Sequence, residues 1–312
     1  MRRCTTLMGI LFLIAMPVYS QHATPLSNAP AASVRSTHPY ALDNTDVVPI
    51  HANALQRDYQ LFVSLPDSYK THPERRYPVV FVTDANYAFP LIRSIAKRIG
   101  DHGKALQEFI LIGLSYADGD TPAFSRNRDY TPSADQGDQT SDMPGRAPRL
   151  GEAEAYRRFI ASEVFPLVAK SWRVDMQRKT YIGHSYGALL GLQTLLTDPT
   201  MFENYILSSP SLWFDHKIMF AREKAYAAVH RDLPARVFMA IGSYETRSPS
   251  HDARYNHHID MRADLRAFEA LLKSRDFPSL KIQSTVIDDE DHLTVFPAIV
   301  TRGLKWALAA GP

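Results

Sequence analysis

The pentapeptide Gly183-His184-Ser185-Tyr186-Gly187 limits the folds open to this chain more than any other feature. It follows a short strand at residues 179–182 and precedes a helical run at residues 188–197. A serine held between glycines at such a junction sits in a sharp, strained turn that lifts its hydroxyl above a sheet. Side chains at the flanking positions would strike the neighbouring strand and helix. The first N–H groups of the following helix point at charge that develops beside the serine. The turn therefore predicts an open α/β sheet and makes Ser185 a candidate nucleophile. Ala188, the next residue, is small enough to keep that packing.

The rest of the chain alternates in the same sense. Residues 59–65 read as a strand, and the apolar runs at 77–82 and 109–114 suit strands buried on both faces of a parallel sheet. Further short strands are expected at 205–208, 237–241 and 281–287. Between them, Tyr156, Phe159, Ile160, Val164, Leu167 and Val168 share one helical face, as do Met261, Leu265, Phe268 and Leu272. With 45% hydrophobic and 22% charged residues over 312 positions, one large core is expected. The pattern predicts a single doubly wound domain over residues 46–312. Residues 116–150 show no period and carry many Pro, Gly, Asp and Ser, which reads as a long functional loop.

In a sheet that carries this turn, an acid and then a histidine follow the serine. The strand at 281–287 runs into Asp288-Asp289-Glu290-Asp291-His292, with a helix from about residue 294. Of twelve histidines, His292 alone lies just past a late strand, where a base could reach Ser185. For the acid, the strand at 237–241 leads into Gly242-Ser243-Tyr244-Glu245. Open α/β sheets place reacting groups at that end, so Glu245 is the candidate that would orient His292. Asp288, Asp289 and Asp291 compete with it, but they lie close to His292 in sequence and read as a solvated acidic rim. An oxyanion hole would take the backbone N–H of Tyr186 and one from the loop Thr83-Asp84-Ala85-Asn86-Tyr87, with Asn86 favoured.

The first twenty residues read as a secretory signal. Arg2 and Arg3 precede an apolar stretch at 7–16, and Val18-Tyr19-Ser20 offers small residues at the outer cleavage positions. Cleavage is expected after Ser20 or Ala23, followed by a flexible leader at 21–45 rich in Ala, Ser, Pro and Asn. Removal of the signal takes the formal charge from +2 to neutral and removes Cys4, the one cysteine. The mature chain is thus expected to be disulfide-free, periplasmic or secreted from a bacterium, with no stable membrane insertion. Nothing basic enough for nucleic acid is present. His257 and His258 are adjacent and would diverge on a helix, so neither a metal nor a cofactor is expected.

Taken together, these residues resemble the "Putative esterase" family of α/β-hydrolases, which includes the trilactone siderophore esterases of the enterobactin and salmochelin type and the antigen 85 mycolyltransferases. The stretches that carry the resemblance are Val82-Thr83-Asp84-Ala85-Asn86, Arg126-Asn127-Arg128-Asp129-Tyr130-Thr131-Pro132, the Ser185 pentapeptide, Ser209-Pro210-Ser211-Leu212-Trp213, and Glu290-Asp291-His292 with Phe296-Pro297. The resemblance implies an α/β-hydrolase fold with a mostly parallel central sheet and helices on both faces. It implies a Ser185–His292–Glu245 triad, although some siderophore esterases of the family work with a serine–histidine dyad. It also implies that Trp213 and the Arg126/Arg128 segment border the substrate cleft. The expected activity is hydrolysis of a small ester through an acyl-enzyme, the substrate being a siderophore ester with or without its iron. A generic short-chain or aryl esterase and an acyltransferase of the antigen 85 type are the alternatives. A non-catalytic binding protein is a further rival, but it usually lacks the nucleophile or base.

Overall fold

The apolar runs pair edge to edge into one eight-stranded sheet of order β1-β2-β4-β3-β5-β6-β7-β8. The computed structural model describes residues 39–100, 105–134, 141–256 and 258–310. The expected signal segment, most of the leader and His257 lie outside the described residues. The strands are β1 (Thr45–Ala52), β2 (Arg57–Ser64), β3 (Tyr77–Val82), β4 (Ile110–Leu114), β5 (Val174–His184), β6 (Asn204–Ser208), β7 (Arg236–Gly242) and β8 (Lys281–Ile287). β1 and β2 run antiparallel at one edge, and every pairing from β4 through β8 is parallel.

Period-two alternation divides the central strands between two apolar layers. Val79 and Phe81 of β3 face one layer with Tyr181, Leu207 and Met239, while Val80 and Val82 face the other with Ile182, Ile206 and Ala240. Helices α1 (Ala85–Gly100) and α8 (Phe296–Ala307) supply the second layer. On the opposite face lie α3 (Ala153–Phe159), α4 (Phe165–Ser171), α5 (Tyr186–Leu195), α6 (Phe214–Val229) and α7 (Met261–Lys273). All residues of β3 and β4 are buried, as strands covered on both faces must be. This is the α/β-hydrolase arrangement. No helix among the described residues is long and apolar enough to cross a membrane.

The structure departs from the sequence reading at three places. β1 begins at the last residue of the expected leader and was not read as a strand; it is half exposed and, among the described residues, pairs with β2 alone, so it lacks the apolar run of a central strand. The face at 156–168 is carried by α3 and α4, joined through a wide π-type turn at Ile160–Val164. Most telling, the expected loop at 116–150 contains a helix, α2 (Pro122–Tyr130). Its start signals are ordinary: the Thr121 hydroxyl accepts from the Phe124 N–H, and Pro122 opens the first turn. The period is hidden because the buried face includes Ser125, Arg128 and Asp129, polar residues satisfied by one another and by neighbours.

Candidate active site

The turn between β5 and α5 places Ser185 in the left-handed region, with φ of 59° and ψ of −117°. Its N–H donates to the Ser208 carbonyl at 2.9 Å, which anchors the turn to β6. The flanking glycines are required by contact. A Cβ on Gly183 would stand 2.4 Å from the Gly187 carbonyl, and one on Gly187 would stand 2.4 Å from Thr83 Oγ1. The second contact also shows that the loop after β3 lies directly against the serine turn.

Two further loops meet Ser185. His292 Nε2 lies 3.0 Å from Ser185 Oγ, and His292 Nδ1 lies 2.6 Å from Glu245 Oε2. Glu245 is 2% exposed. Its other oxygen accepts from the Ser209 hydroxyl at 2.6 Å and the Gly242 N–H at 2.8 Å, so the carboxylate has the donors that a buried charge needs. The acid and base loops are also tied to each other. Tyr244 N–H donates to the Glu290 carbonyl at 3.0 Å, Ser243 N–H to Ile287 at 2.9 Å, and Asp289 N–H to the Ser243 hydroxyl at 2.9 Å. Asp291, one of the competing acids, instead accepts from the Leu293 and Thr294 N–H groups and shapes the turn that carries His292. Arg254 closes this rim over the Tyr244 ring, pairing with Asp289 and Asp291.

Tyr186 and Asn86 open the first turns of α5 and α1, where N–H groups lack partners within the helix. Arg126 of α2 pairs with buried Asp84 at 2.8 Å, reaches toward the His184 carbonyl at 3.5 Å and lies over the Tyr186 ring at 5.8 Å. Burial works against the charge on Arg126, but Asp84 and three tyrosines outweigh it and raise the guanidinium's pKa. Burial pushes the Asp84 carboxyl up, against the pull of Arg126 and Tyr116. Trp213 is half buried beside Tyr186, with ring centroids 6.1 Å apart.

Arg128 does not reach this region, and its assignment to the substrate cleft is corrected. Only 1% exposed, it pairs with Asp129 at 2.7 Å and Asp120 at 2.6 Å. Two positions along a helix turn a side chain by about 200°, so Arg126 and Arg128 point to opposite sides of α2.

Several residues at the site carried no individual role in the sequence reading. Ser211 Oγ lies 3.3 Å from Ser185 Oγ, and Ser209 holds Glu245. Both follow the carboxyl end of β6, where open sheets gather their polar groups, and that position was the available signal. His184 packs its ring 4.7 Å from that of His292 and shares a 2.9 Å hydrogen bond with the Ser208 hydroxyl. Burial, with His292 and Arg126 nearby, holds its pKa well below the usual imidazole range. A cleft of about 480 Å³ adjoins the relay, bordered by Glu245, Arg254, Tyr255, His292 and Leu293. A hollow of about 540 Å³ near Ser64, Arg93 and Glu108 lies at the opposite end of the sheet and contains none of these groups. Of the two, the smaller touches the relay, at Glu245 and His292. Among the described residues, no group of three or more His, Cys, Asp or Glu could hold a metal ion.

Residues 52–275 match the family model described as "Putative esterase". The chain is 26% identical to the ferri-bacillibactin esterase BesA of Bacillus subtilis, over 88% of this chain and 92% of that protein. It is 28% identical to the siderophore triacetylfusarinine C esterase of Aspergillus fumigatus, over 73% of this chain and 80% of the relative. The crystal structure of the BES protein from Bacillus cereus superposes with a TM-score of 0.72 at 25% identity, covering 88% of this chain and 99% of that one.

Proposed function

We propose, for a chain that belongs to the "Putative esterase" family and is therefore a carboxylic ester hydrolase, that it opens siderophore esters through an acyl-enzyme on Ser185. One observation carries the mechanism: the unbroken line from Glu245 through His292 to Ser185, with contacts of 2.6 and 3.0 Å at the end of a strained strand–helix turn. His292 Nε2 takes the proton of Ser185 Oγ as that oxygen attacks the ester carbonyl. Glu245 holds the Nδ1–H, fixes the tautomer and supports the imidazolium. The N–H groups of Tyr186 and Asn86 receive the negative oxygen. His292 then returns the proton to the departing alkoxide, and water repeats the cycle on the acyl-enzyme.

The siderophore assignment draws on the two relatives named above, one acting on ferri-bacillibactin and one on triacetylfusarinine C. In this reading the small-molecule substrate carries its iron or has lost it, and no cofactor takes part. The Arg2-Arg3 pair and the apolar stretch after it support export, so hydrolysis takes place in the periplasm or outside the cell.

The test is a panel of ferric and iron-free siderophore esters beside short-chain and aryl esters, each offered to purified protein and to Ser185→Ala. The expected result is the highest kcat/KM on a siderophore ester and none with the variant. A simple ester that outperforms every siderophore would overturn the substrate class. Acyl transfer to an added alcohol in preference to water would identify an acyltransferase instead.

A further inference from the structure

The oxyanion hole described above has two walls, and one side chain touches both. The first wall is the turn Thr83-Asp84 leading into α1, where Asp84 is in the left-handed region at φ 57° and 1% exposed. The second is the Ser185 turn, flanked by His184 and Tyr186. Arg126 Nε lies 2.8 Å from Asp84 Oδ1, which also accepts from the Tyr116 hydroxyl at 2.9 Å. Asp84 Oδ2 has no hydrogen-bond partner among the described residues and faces the serine turn, 3.3 Å from where a Cβ on Gly187 would be. From the other side of the guanidinium, Nη2 donates to the His184 carbonyl at 3.5 Å, and the group covers the Tyr186 ring.

Resting on the serine-esterase reading, we propose that Arg126 is a positioning residue that clamps the two walls of the oxyanion hole through Asp84 and the His184 carbonyl. Asp84 is a buried carboxylate in a strained turn, and the guanidinium is the cation that keeps it there. Without that pairing the turn would move so as to protonate or expose the carboxyl. The N–H groups at the start of α1 would move with it. A misplacement of about 1 Å at a reacting centre can cost on the order of a hundredfold. Nε meets Asp84 as an ion pair without a hydrogen bond of good direction, Nη2 makes a long contact with the His184 carbonyl, and the side chain is 24% exposed.

The test uses Arg126→Gln, Arg126→Lys and Asp84→Asn, with a neutral p-nitrophenyl ester, a ferric tricatecholate ester and a neutral organophosphonate. Rates are normalised to the sites that the phosphonate finally titrates, which counts folded enzyme only. For Arg126→Gln we expect kcat to fall roughly 10- to 100-fold, below the loss on removing an oxyanion donor outright. KM should stay within about twofold, and the factor should be the same for both esters and for the rate of phosphonylation. Lysine keeps the charge but not the fork, so Arg126→Lys should not restore kcat. Asp84→Asn should give a similar loss, and the double variant should be no worse than the singles. A KM rise confined to the anionic ester and repaired by lysine would make Arg126 a substrate contact and overturn the clamp. So would a phosphonylation rate equal to that of the unaltered protein. Failure of the unaltered protein to be labelled at Ser185 would instead overturn the serine-esterase reading, and the clamp with it.

Discussion

The relay at the ends of β5, β7 and β8 and the ion cluster around Arg128 are both built from charged and hydroxyl side chains, yet they differ in what they leave open. In the cluster every charge is answered. Asp129 faces Arg128, Arg57 and the Tyr59 hydroxyl, Asp120 faces Arg128 and Arg146, and Glu152 faces Arg57 and Arg149. The relay is answered only at its buried end. Glu245 accepts three hydrogen bonds, whereas His292 is 35% exposed in its side chain and, among the described residues, Ser185 Oγ has hydrogen-bond contacts with His292 and Ser211 alone. A saturated network holds β2, α2 and the segment at 146–152 in place. A network open at one end can pass a proton to a ligand. On the proposed mechanism, the same side-chain chemistry serves stability in one region and reaction in the other, and the difference lies in the unsatisfied end.

The sharpest way to break this comparison is at the open end. Ser185→Ala should reduce ester hydrolysis by at least about 10⁴-fold while leaving the unfolding midpoint nearly unchanged, since it removes an oxygen that holds nothing else together. Turnover and urea unfolding on one preparation check both halves; a large stability loss would mean that the serine is structural. One step back, Glu245→Gln should lower kcat by on the order of 10²–10⁴, because an amide cannot balance the imidazolium. A loss below about tenfold would show that His292 is held by the hydrogen-bonded loops alone, as in the dyad enzymes the sequence resembles.

The closed cluster should respond in the other currency. Arg128→Met strips the 1%-exposed cation from Asp120 and Asp129, and breaking a buried pair typically costs about 3–5 kcal/mol. Urea unfolding should show a loss of that order. Activity per folded molecule should fall alike on neutral and anionic esters, if it falls at all. A KM effect confined to the anionic ester would return Arg128 to the cleft and undo the contrast between the two regions.

How much of this was legible in the sequence follows from the same contrast. The central strands could be read because burial on both faces leaves only apolar residues, as in β3. The serine turn could be read because its glycines are forced by contacts of 2.4 Å. Helix α2 could not, since a helix whose buried side is an ion network has no apolar period to detect. Arg126 and Arg128 were indistinguishable for a related reason: only the phase of α2 separates a side chain at the site from one beneath it. Ser209 had a positional signal past β6 but no signal for its partner Glu245, and His184 acts through Ser208, a partner distant in sequence that no local pattern announces.

His184 offers the smallest and finest probe, because it shares a feature with each region: it packs against the relay and, like the centre of the cluster, it is buried. Its pKa in the folded protein is held well below the usual imidazole value, first by burial and then by His292 and Arg126. In the unfolded chain it titrates near about 6.5. Below that pH the unfolded state therefore binds a proton that the folded state refuses, and stability falls as the pH drops, by at most about 1.4 kcal/mol per unit for one such group. Above pH ~6.5 the group is neutral in both states and contributes no slope. His184→Gln keeps a partner for the Ser208 hydroxyl but cannot titrate. Urea midpoints taken from pH 8 to pH 5 should thus decline less steeply for the variant than for the unaltered protein, whatever their difference at pH 8. All other groups are common to the two proteins, so the difference between the two slopes reports on residue 184. Parallel curves would mean that His184 takes up its proton in the folded state, and that the imidazole beside His292 is open to water like the relay it touches.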